Sequence, residues 1–174
     1  MFPPRRTAKA VKDKLKSYLD KIEGEIVIKE DKPKSWVNNM LIREKPDGDV
    51  RLCLDPKYLN EATRRPYLEV APIQEIIAGA SKHAIYSVID LKQGFWHCEL
   101  DQESTQACAF STPFGTYRFL RLPYGISSAP EIFMAEVKIF SGIPGVQMYY
   151  DDLYLARRMK PTKKHFGRLS NVPG

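Results

Sequence analysis

The chain has 174 residues, 43% of them hydrophobic and 28% charged, which suits one globular domain with a sizeable core. Its 27 lysines and arginines outnumber the 21 aspartates and glutamates, and the net charge of +6 favours a polyanionic partner. Three cysteines without CxxC spacing argue against a zinc site or a disulfide framework and indicate a reducing compartment. The amino terminus lacks an apolar signal region and no apolar run approaches about 20 residues, so we expect no membrane segment and an intracellular, cytoplasmic location.

The amino-terminal half predicts a surface helix, a β-hairpin and a short second helix. Apolar residues recur at helical spacing over residues 8–23. Two apolar runs, 36–44 and 50–55, flank a Pro-Asp-Gly-Asp sequence, which is a strong turn signal, so a hairpin is expected over about 37–55. The second helix is expected at residues 72–80.

The second half of the chain predicts short strands and one longer helix. The apolar run at residues 84–90 is expected to be a buried strand, although its last residue, Asp90, is an unusual one for that position. A helix is expected from about 128 to 140 because Pro130 suits a first helical turn. Further strands are expected at residues 106–111, 116–120, 146–150 and 153–156. This order lacks the regular βαβ rhythm of a doubly wound sheet, so an α+β fold with a mainly antiparallel sheet is predicted.

Adjacent acidic residues occupy the tip of the last predicted hairpin. Asp151 and Asp152 lie between apolar and aromatic strands, where neighbouring like charges repel and a bound cation would remove the conflict. Magnesium takes oxygen ligands from one or two carboxylates and from substrate phosphates, and Asp90 is the best candidate for a third acidic ligand. The alternative is a polar turn at Asp151-Asp152 and a capping role for Asp90, which are both common uses of aspartate.

Four motifs, in order along the chain, resemble those of reverse transcriptases. Tyr149-Tyr150-Asp151-Asp152 matches the Tyr-x-Asp-Asp box, and the segment Tyr86–Trp96 resembles the first catalytic motif. The segment Phe110–Phe133 resembles the nucleotide-pocket and template-contact motif, and Arg51–Asn60 resembles the fingers motif. The likeness runs from about residue 3 to residue 156, and the gypsy-type LTR retrotransposons are the most similar group.

This resemblance implies a polymerase-type palm, with an antiparallel sheet and helices on one face, beside a fingers subdomain that carries a β-hairpin. It assigns residues 1–82 to an N-terminal helix and the fingers, 83–156 to the palm, and 157–174 to a truncated C-terminal tail. The thumb, connection and RNase H segments, which are normally contiguous, would be absent. A retrotransposon setting also makes a virus-like particle or the nucleus an alternative location.

By the same resemblance, the reaction is template-directed transfer of a dNTP to the 3′-hydroxyl of a primer on an RNA or DNA template. Two Mg²⁺ ions, with Mn²⁺ as an alternative, would be held by Asp90, Asp151 and the backbone carbonyl of Leu91, and Asp152 would complete the acidic cluster. One ion would activate the primer hydroxyl while the other neutralises the departing pyrophosphate.

The resemblance also assigns contacts to the nucleotide and the primer. Arg51 and Lys45 would grip the triphosphate, since a planar guanidinium suits phosphate oxygens, with a solvated surface charge as the other role for such residues. Phe95, five residues after Asp90, would lie under the sugar and exclude a 2′-hydroxyl, with core packing as the other role for such a ring. The remaining assignments are the nucleotide pocket, formed by Tyr124 and Gly125, and the primer and template contacts, made by Tyr149 and Tyr150.

Three departures from the family pattern bear on activity. Asp49 stands in the fingers turn where relatives carry a basic residue, and its charge near Arg51 would oppose a triphosphate. The helix between Phe133 and Phe140 is about one residue short, and residues 64–72 stray from the pattern. Two alternatives therefore stay open: a catalytically inactive, truncated or domesticated remnant that keeps the fold and binds nucleic acid, and an unrelated metal-dependent nuclease or nucleotidyl cyclase.

Overall fold

The structure, a computed structural model, describes residues 9–32, 34, 36–46, 48, 50–68, 72–80, 85–140 and 142–157. The α-helices of this part are α1 Lys9–Ile22, α2 Lys57–Ala62, α3 Ile73–Ala80, α4 Gln102–Ala107 and α5 Ala129–Glu136. The strands are β1 Val27–Lys29, β2 Asn39–Glu44, β3 Val50–Asp55, β4 Ile85–Asp90, β5 Ala109–Thr112, β6 Gly115–Phe119, β7 Val146–Tyr149 and β8 Asp152–Arg157. Two 3₁₀ helices span Gly94–His97 and Val137–Phe140.

Every strand of the described residues pairs with an antiparallel neighbour in one of three small sheets. Their strand orders are β1-β6-β5, β2-β3 and β4-β8-β7. The expected α+β fold with mainly antiparallel pairing is therefore confirmed. The fingers hairpin is the β2-β3 pair, and the acidic hairpin is the β7-β8 pair.

The larger core lies under α1, whose apolar stripe forms as the helical spacing predicts. Leu15 and Leu19 are fully buried, and each contributes about 1.5–3 kcal/mol by leaving water. They pack with buried residues of the β2-β3 hairpin and with Phe110 and Phe119 of the β1-β6-β5 sheet. This core thus draws on residues from both sides of position 82, where the sequence places the fingers boundary, and that boundary stays a prediction.

A smaller core lies between α5 and the acidic hairpin. Phe133 and Val137 are buried there, and Met148 of β7 packs against them. The helix expected over about 128–140 is present, but it tightens from α to 3₁₀ geometry at Val137. Because a 3₁₀ helix has three residues per turn, this change alters the direction of the side chains from Val137 onward, within the region that the sequence predicts to be about one residue short.

The strand expected at residues 106–111 is partly wrong. Residues 102–107 form α4, and the strand begins only at Ala109. The cause is Asp101, whose side chain accepts a hydrogen bond from the Ser104 amide at 2.7 Å and so caps a helix. The short elements α2 and β1 were not predicted, because neither has the length that shows a clear periodicity.

The expectation that residues 84–90 form a buried strand is also wrong. The strand exists as β4, but Ile85, Val88 and Ile89 are 50%, 58% and 45% exposed. In the described part of the chain β4 is an edge strand that pairs only with β8, so it lacks a neighbouring strand along its other edge. An apolar run predicts a strand without revealing how much of it is covered.

Some expectations fall on residues that the structure does not describe. Asp49 lies outside the described residues, as do residues 69–71 of the divergent segment 64–72 and residues 158–174 of the expected tail. Within the described part, no helix is both long enough and apolar enough to cross a membrane.

Candidate active site

Two acidic residues lie opposite each other where β4 and β8 meet. Asp90 is the last residue of β4, and its partner in the pairing is Asp152, the first residue of β8. The Leu91 amide donates to the Asp151 carbonyl oxygen at 2.9 Å, which makes Asp90 and Asp152 a non-hydrogen-bonded pair. In such pairs the Cα atoms are about 4.5 Å apart and the side chains share one face of the sheet. The fold therefore brings these two carboxylates side by side.

Asp151 belongs to the two-residue turn that joins β7 to β8. Tyr149 and Asp152 pair across this turn, and Tyr150 has a φ of +54°. Turns of this length need positive φ to match the twist of the strands, and a residue with a side chain pays about 1–3 kcal/mol for it. The rings of Tyr149 and Tyr150 meet edge to face, with 4.9 Å between centroids. These contacts hold the turn that presents Asp151.

The acidic turn lies against the 3₁₀ helix Gly94–His97. A Cβ atom on Gly94 would lie 3.0 Å from the ring of Phe133 and 3.6 Å from the Cβ of Asp151. A side chain at this position would push the Phe133 ring by a few tenths of an ångström, so glycine suits this close approach of α5, the 3₁₀ helix and the turn. Asp151 is consequently placed beside the segment that carries Phe95.

The three aspartates do not form a closed metal cage. Within the residues that the structure describes, no group of three acidic, histidine or cysteine side chains is arranged to hold a metal ion. Magnesium in nucleotide-processing sites takes only one or two carboxylates and completes its shell with phosphates and water. The Asp90–Asp152 pair and the adjacent Asp151 therefore fit a metal that arrives with a phosphate ligand.

Tyr124 is the centre of the site. Its ring lies 5.1 Å from that of Phe95 and 6.3 Å from that of Trp96, and the Arg51 guanidinium stands over it at 5.0 Å. Burial raises the pKa of the Tyr124 hydroxyl, the charge of Arg51 lowers it, and the charges of Asp151 and Asp90 raise it. One half-buried tyrosine is thus within electrostatic reach of both the fingers arginine and the acidic turn.

Gly125 brings the Tyr124 loop against the fingers hairpin. It has a φ of +110°, and a Cβ atom there would lie 1.9 Å from the carbonyl oxygen of Leu54. The Leu54 amide donates to the Tyr124 carbonyl oxygen at 2.7 Å. The loop and the end of β3 are therefore in direct backbone contact at Gly125.

The basic residues of the hairpin lie at different distances from this centre. Arg51 pairs directly across β2-β3 with Arg43, and both are exposed. Residues that pair directly share a face of the sheet, so the face that carries Arg51 to Tyr124 also carries Arg43. Lys45 lies further along, in the turn, where its carbonyl accepts from the Gly48 amide at 3.0 Å. Sequence reasoning missed Arg43. The feature that could have identified it is its register in the predicted hairpin, directly opposite Arg51.

Phe95 takes part in packing as well as facing the site. Its ring meets that of Phe133 at 5.7 Å in an edge-to-face contact, in addition to Tyr124 at 5.1 Å. It is half-buried beside the smaller core. Both roles considered for Phe95, a sugar gate and a core contact, are compatible with this position.

Sequence reasoning also missed two residues that connect the region after β3 to the Tyr124 loop and to α5. The side chain of Asn60 bonds to both Gly125 and Ser127. Arg65 donates through Nε to the carboxylate of the buried Glu131 at 3.0 Å. Neither has a local sequence signal, because each partner is more than sixty residues away in the chain.

A small antiparallel sheet backed by α5, an acidic strand-turn-strand tip and an arginine-bearing hairpin define the class: a polymerase-type palm with fingers. Residues 42–169 match the family described as "Reverse transcriptase (RNA-dependent DNA polymerase)". The chain belongs to the reverse transcriptase family.

Pol polyproteins of transposons and of foamy viruses are among the similar proteins. The retrovirus-related Pol polyprotein from transposon 412 of Drosophila melanogaster is 37% identical over 117 residues, which are 64% of this chain and 10% of that protein. The prototype foamy virus protease-reverse transcriptase superposes with a TM-score of 0.77 at 25% identity, over 91% of this chain and 21% of that one. The foamy viral enzyme solved with an RNA/DNA hybrid superposes with a TM-score of 0.73 at 23% identity, over the same shares of the two chains. The chain spans about a tenth of the length of the curated relatives it matches.

Proposed function

We propose that this chain forms the fingers and palm of an RNA-directed DNA polymerase from a gypsy-type LTR retrotransposon. The observation that carries the proposal is a continuous line of contacts from the fingers to the acidic turn. Arg51 stands over the ring of Tyr124, this ring packs against Phe95, and the neighbouring Gly94 lies against Asp151. A triphosphate along this line would meet a cation at one end and metal-binding carboxylates at the other. The similarity to Pol polyproteins of two Drosophila transposons supports the retrotransposon origin.

Asp90, Asp151 and the Leu91 carbonyl are proposed to hold two Mg²⁺ ions, which Mn²⁺ could replace, with Asp152 completing the acidic cluster. Bound there, the ions would activate the primer hydroxyl and neutralise the departing pyrophosphate. Among the ion pairs formed by the described residues, none includes these three aspartates.

The nucleotide is proposed to lie between the hairpin and the palm. Arg51 would hold its phosphates through the guanidinium fork, with Lys45 as a second contact from the turn. Tyr124 and Gly125 would form the floor, since the Tyr124 ring lies beneath the Arg51 guanidinium and beside Phe95. Phe95, which packs on Tyr124, would exclude a 2′-hydroxyl.

The partner is proposed to be an RNA or DNA template with its primer, and the substrates to be dNTPs. Two observations support nucleic acid: the foamy viral relatives were solved with dsDNA and with an RNA/DNA hybrid, and the net charge of this chain is +6. Tyr149 and Tyr150, which flank the acidic turn, would contact the primer end. We propose an intracellular site of action, in the cytoplasm, a virus-like particle or the nucleus.

The test is extension of a labelled primer on an RNA template with Mg²⁺ and dNTPs, with and without a separately supplied thumb-containing segment of a relative. We expect Asp151→Asn to abolish extension. Asp20→Asn is the matched control, because it removes one carboxylate from α1, where the partner of Asp20 is Lys16, and should leave extension unchanged. Absence of extension in both conditions, with the fold intact by circular dichroism, would contradict the proposal.

Binding of the same primer-template is measured separately by fluorescence anisotropy. Contacts to phosphate release counterions, so the logarithm of the association constant should fall linearly as the logarithm of the salt concentration rises. Binding that persists without extension would favour the alternative of an inactive, nucleic-acid-binding remnant.

A further inference from the structure

The loop that carries Tyr124 and Gly125 has few hydrogen bonds of its own. Leu122 enters it with its amide bonded to the Cys98 carbonyl at 3.0 Å, and the Ala129 amide bonds back to the Ile126 carbonyl at 3.2 Å. Between these two points the loop must find partners elsewhere, because unpaired backbone groups cost free energy when water is excluded. The fingers side of the molecule supplies them.

The side-chain amide of Asn60 bonds to two backbone groups of this loop. Its Nδ2 donates to the Gly125 carbonyl oxygen at 2.9 Å, and its Oδ1 accepts from the Ser127 amide at 2.8 Å. One planar amide thus satisfies an acceptor and a donor two residues apart, as a neighbouring strand would. Neither aspartate, which lacks the donor, nor glutamine, which is one methylene longer, can reproduce both bonds in place.

Asn60 is itself fixed to the hairpin that carries Arg51. It lies on α2, which begins two residues after β3 ends, and its own amide bonds to the Pro56 carbonyl at 2.8 Å. The far end of α2 is closed by Thr63, whose Oγ1 donates to the Leu59 carbonyl at 2.7 Å. The loop is therefore attached to the β3-α2 segment at Tyr124 through Leu54 and at the next residues through Asn60.

We propose that Asn60 is a positioning residue for the nucleotide pocket: it holds the backbone of Gly125 and Ser127 so that the Tyr124 ring stays between Arg51 and Phe95. This inference rests on the proposed function. Asn60 acts through the loop, so its removal should weaken dNTP binding and leave the acidic turn unchanged.

Hydrogen–deuterium exchange tests the attachment itself. In Asn60→Ala, the Ser127 amide should exchange about tenfold faster, since a hydrogen bond of about 1.4 kcal/mol corresponds to a factor of ten. In Asn60→Asp, the Ser127 amide should stay protected, because a carboxylate oxygen still accepts its bond. Thr63→Ala is the matched control: it removes a hydrogen bond from the same helix but none from the loop, and should leave Ser127 exchange unchanged. Equal exchange of Ser127 in Asn60→Ala and the unmodified chain would overturn the proposal.

The dNTP dependence of primer extension tests the positioning role, at a temperature well below the unfolding of every variant. Asn60→Ala should raise the KM for dNTP about tenfold while kcat changes less than about threefold, and Thr63→Ala should leave both within about twofold, in keeping with the modest energy of one or two hydrogen bonds. The KM of Asn60→Asp should lie between those of Asn60→Ala and Thr63→Ala, because this variant keeps one of the two loop bonds. If the unmodified chain extends primers and Asn60→Ala has the same KM, the positioning role is wrong and the polymerase proposal stands. If the unmodified chain does not extend primers, the polymerase proposal fails and this inference fails with it.

Discussion

Replacing Gly125 with alanine should destabilise the protein more than the same change at any glycine in open space. The residue has a φ of +110°, and an added Cβ atom would lie 1.9 Å from the Leu54 carbonyl oxygen. The contact is with backbone, so no side chain can rotate away to relieve it. The hairpin and the loop would have to separate by more than about 1 Å to restore ordinary contact.

The magnitude follows from two contributions. A side chain at positive φ costs about 1–2 kcal/mol. Separation of the two segments also breaks the 2.7 Å bond between the Leu54 amide and the Tyr124 carbonyl, and leaving such groups unpaired costs about 1–3 kcal/mol. The expected loss is therefore about 2–5 kcal/mol, or about 4–20 °C in Tm for a domain of this size.

Gly24→Ala separates the two contributions. Gly24 has a φ of +90°, but nothing lies within 4 Å of an added Cβ atom, so only the backbone strain of about 1–2 kcal/mol applies there. Urea and thermal unfolding of the two variants and the unmodified chain give both free energies. Equal destabilisation by Gly125→Ala and Gly24→Ala would refute the reasoning that the Leu54 contact makes Gly125 necessary.

Three further predictions concern a buried thiol, the acidic pair and the proposed sugar gate. Burial raises the pKa of the Cys108 thiol from 9.0 to about 12, so above about pH 9 the folded state keeps a proton that the unfolded state releases, and the free energy of unfolding should fall by about 1.4 kcal/mol per pH unit. Urea unfolding of Cys108→Ala should lack this part of the fall, and an equal dependence on pH in both proteins would contradict the prediction. Without divalent metal, Asp152→Asn should raise the free energy of unfolding by about 0.2–1 kcal/mol, because it removes a like charge directly opposite Asp90, and a loss of stability would show that the two carboxylates do not repel. Phe95→Val should raise ribonucleotide incorporation relative to deoxyribonucleotide in primer extension, and an unchanged ratio would leave Phe95 with a packing role alone.

The sequence by itself determined the local elements that carry the acidic residues. The helical spacing of α1, the Pro-Asp-Gly turn of the fingers hairpin and the aromatic strands around Asp151 each lie within a dozen or so neighbouring residues, where periodicity and turn chemistry act. The resemblance of four ordered motifs then selected the reverse transcriptase family from among many proteins with such elements. Catalytic candidates were therefore available without coordinates.

Only the tertiary structure decided how these pieces meet. The exposure of β4, the position of Arg51 over Tyr124 and the bonds from Asn60 to Gly125 and Ser127 all depend on contacts between distant segments, the last of them across 65 and 67 residues. Such contacts leave no trace in local periodicity, because a side-chain amide on a short helix has the same sequence context whether or not a loop lies against it. A residue's partner is set by the packing of whole elements, and that packing exists only in the folded chain.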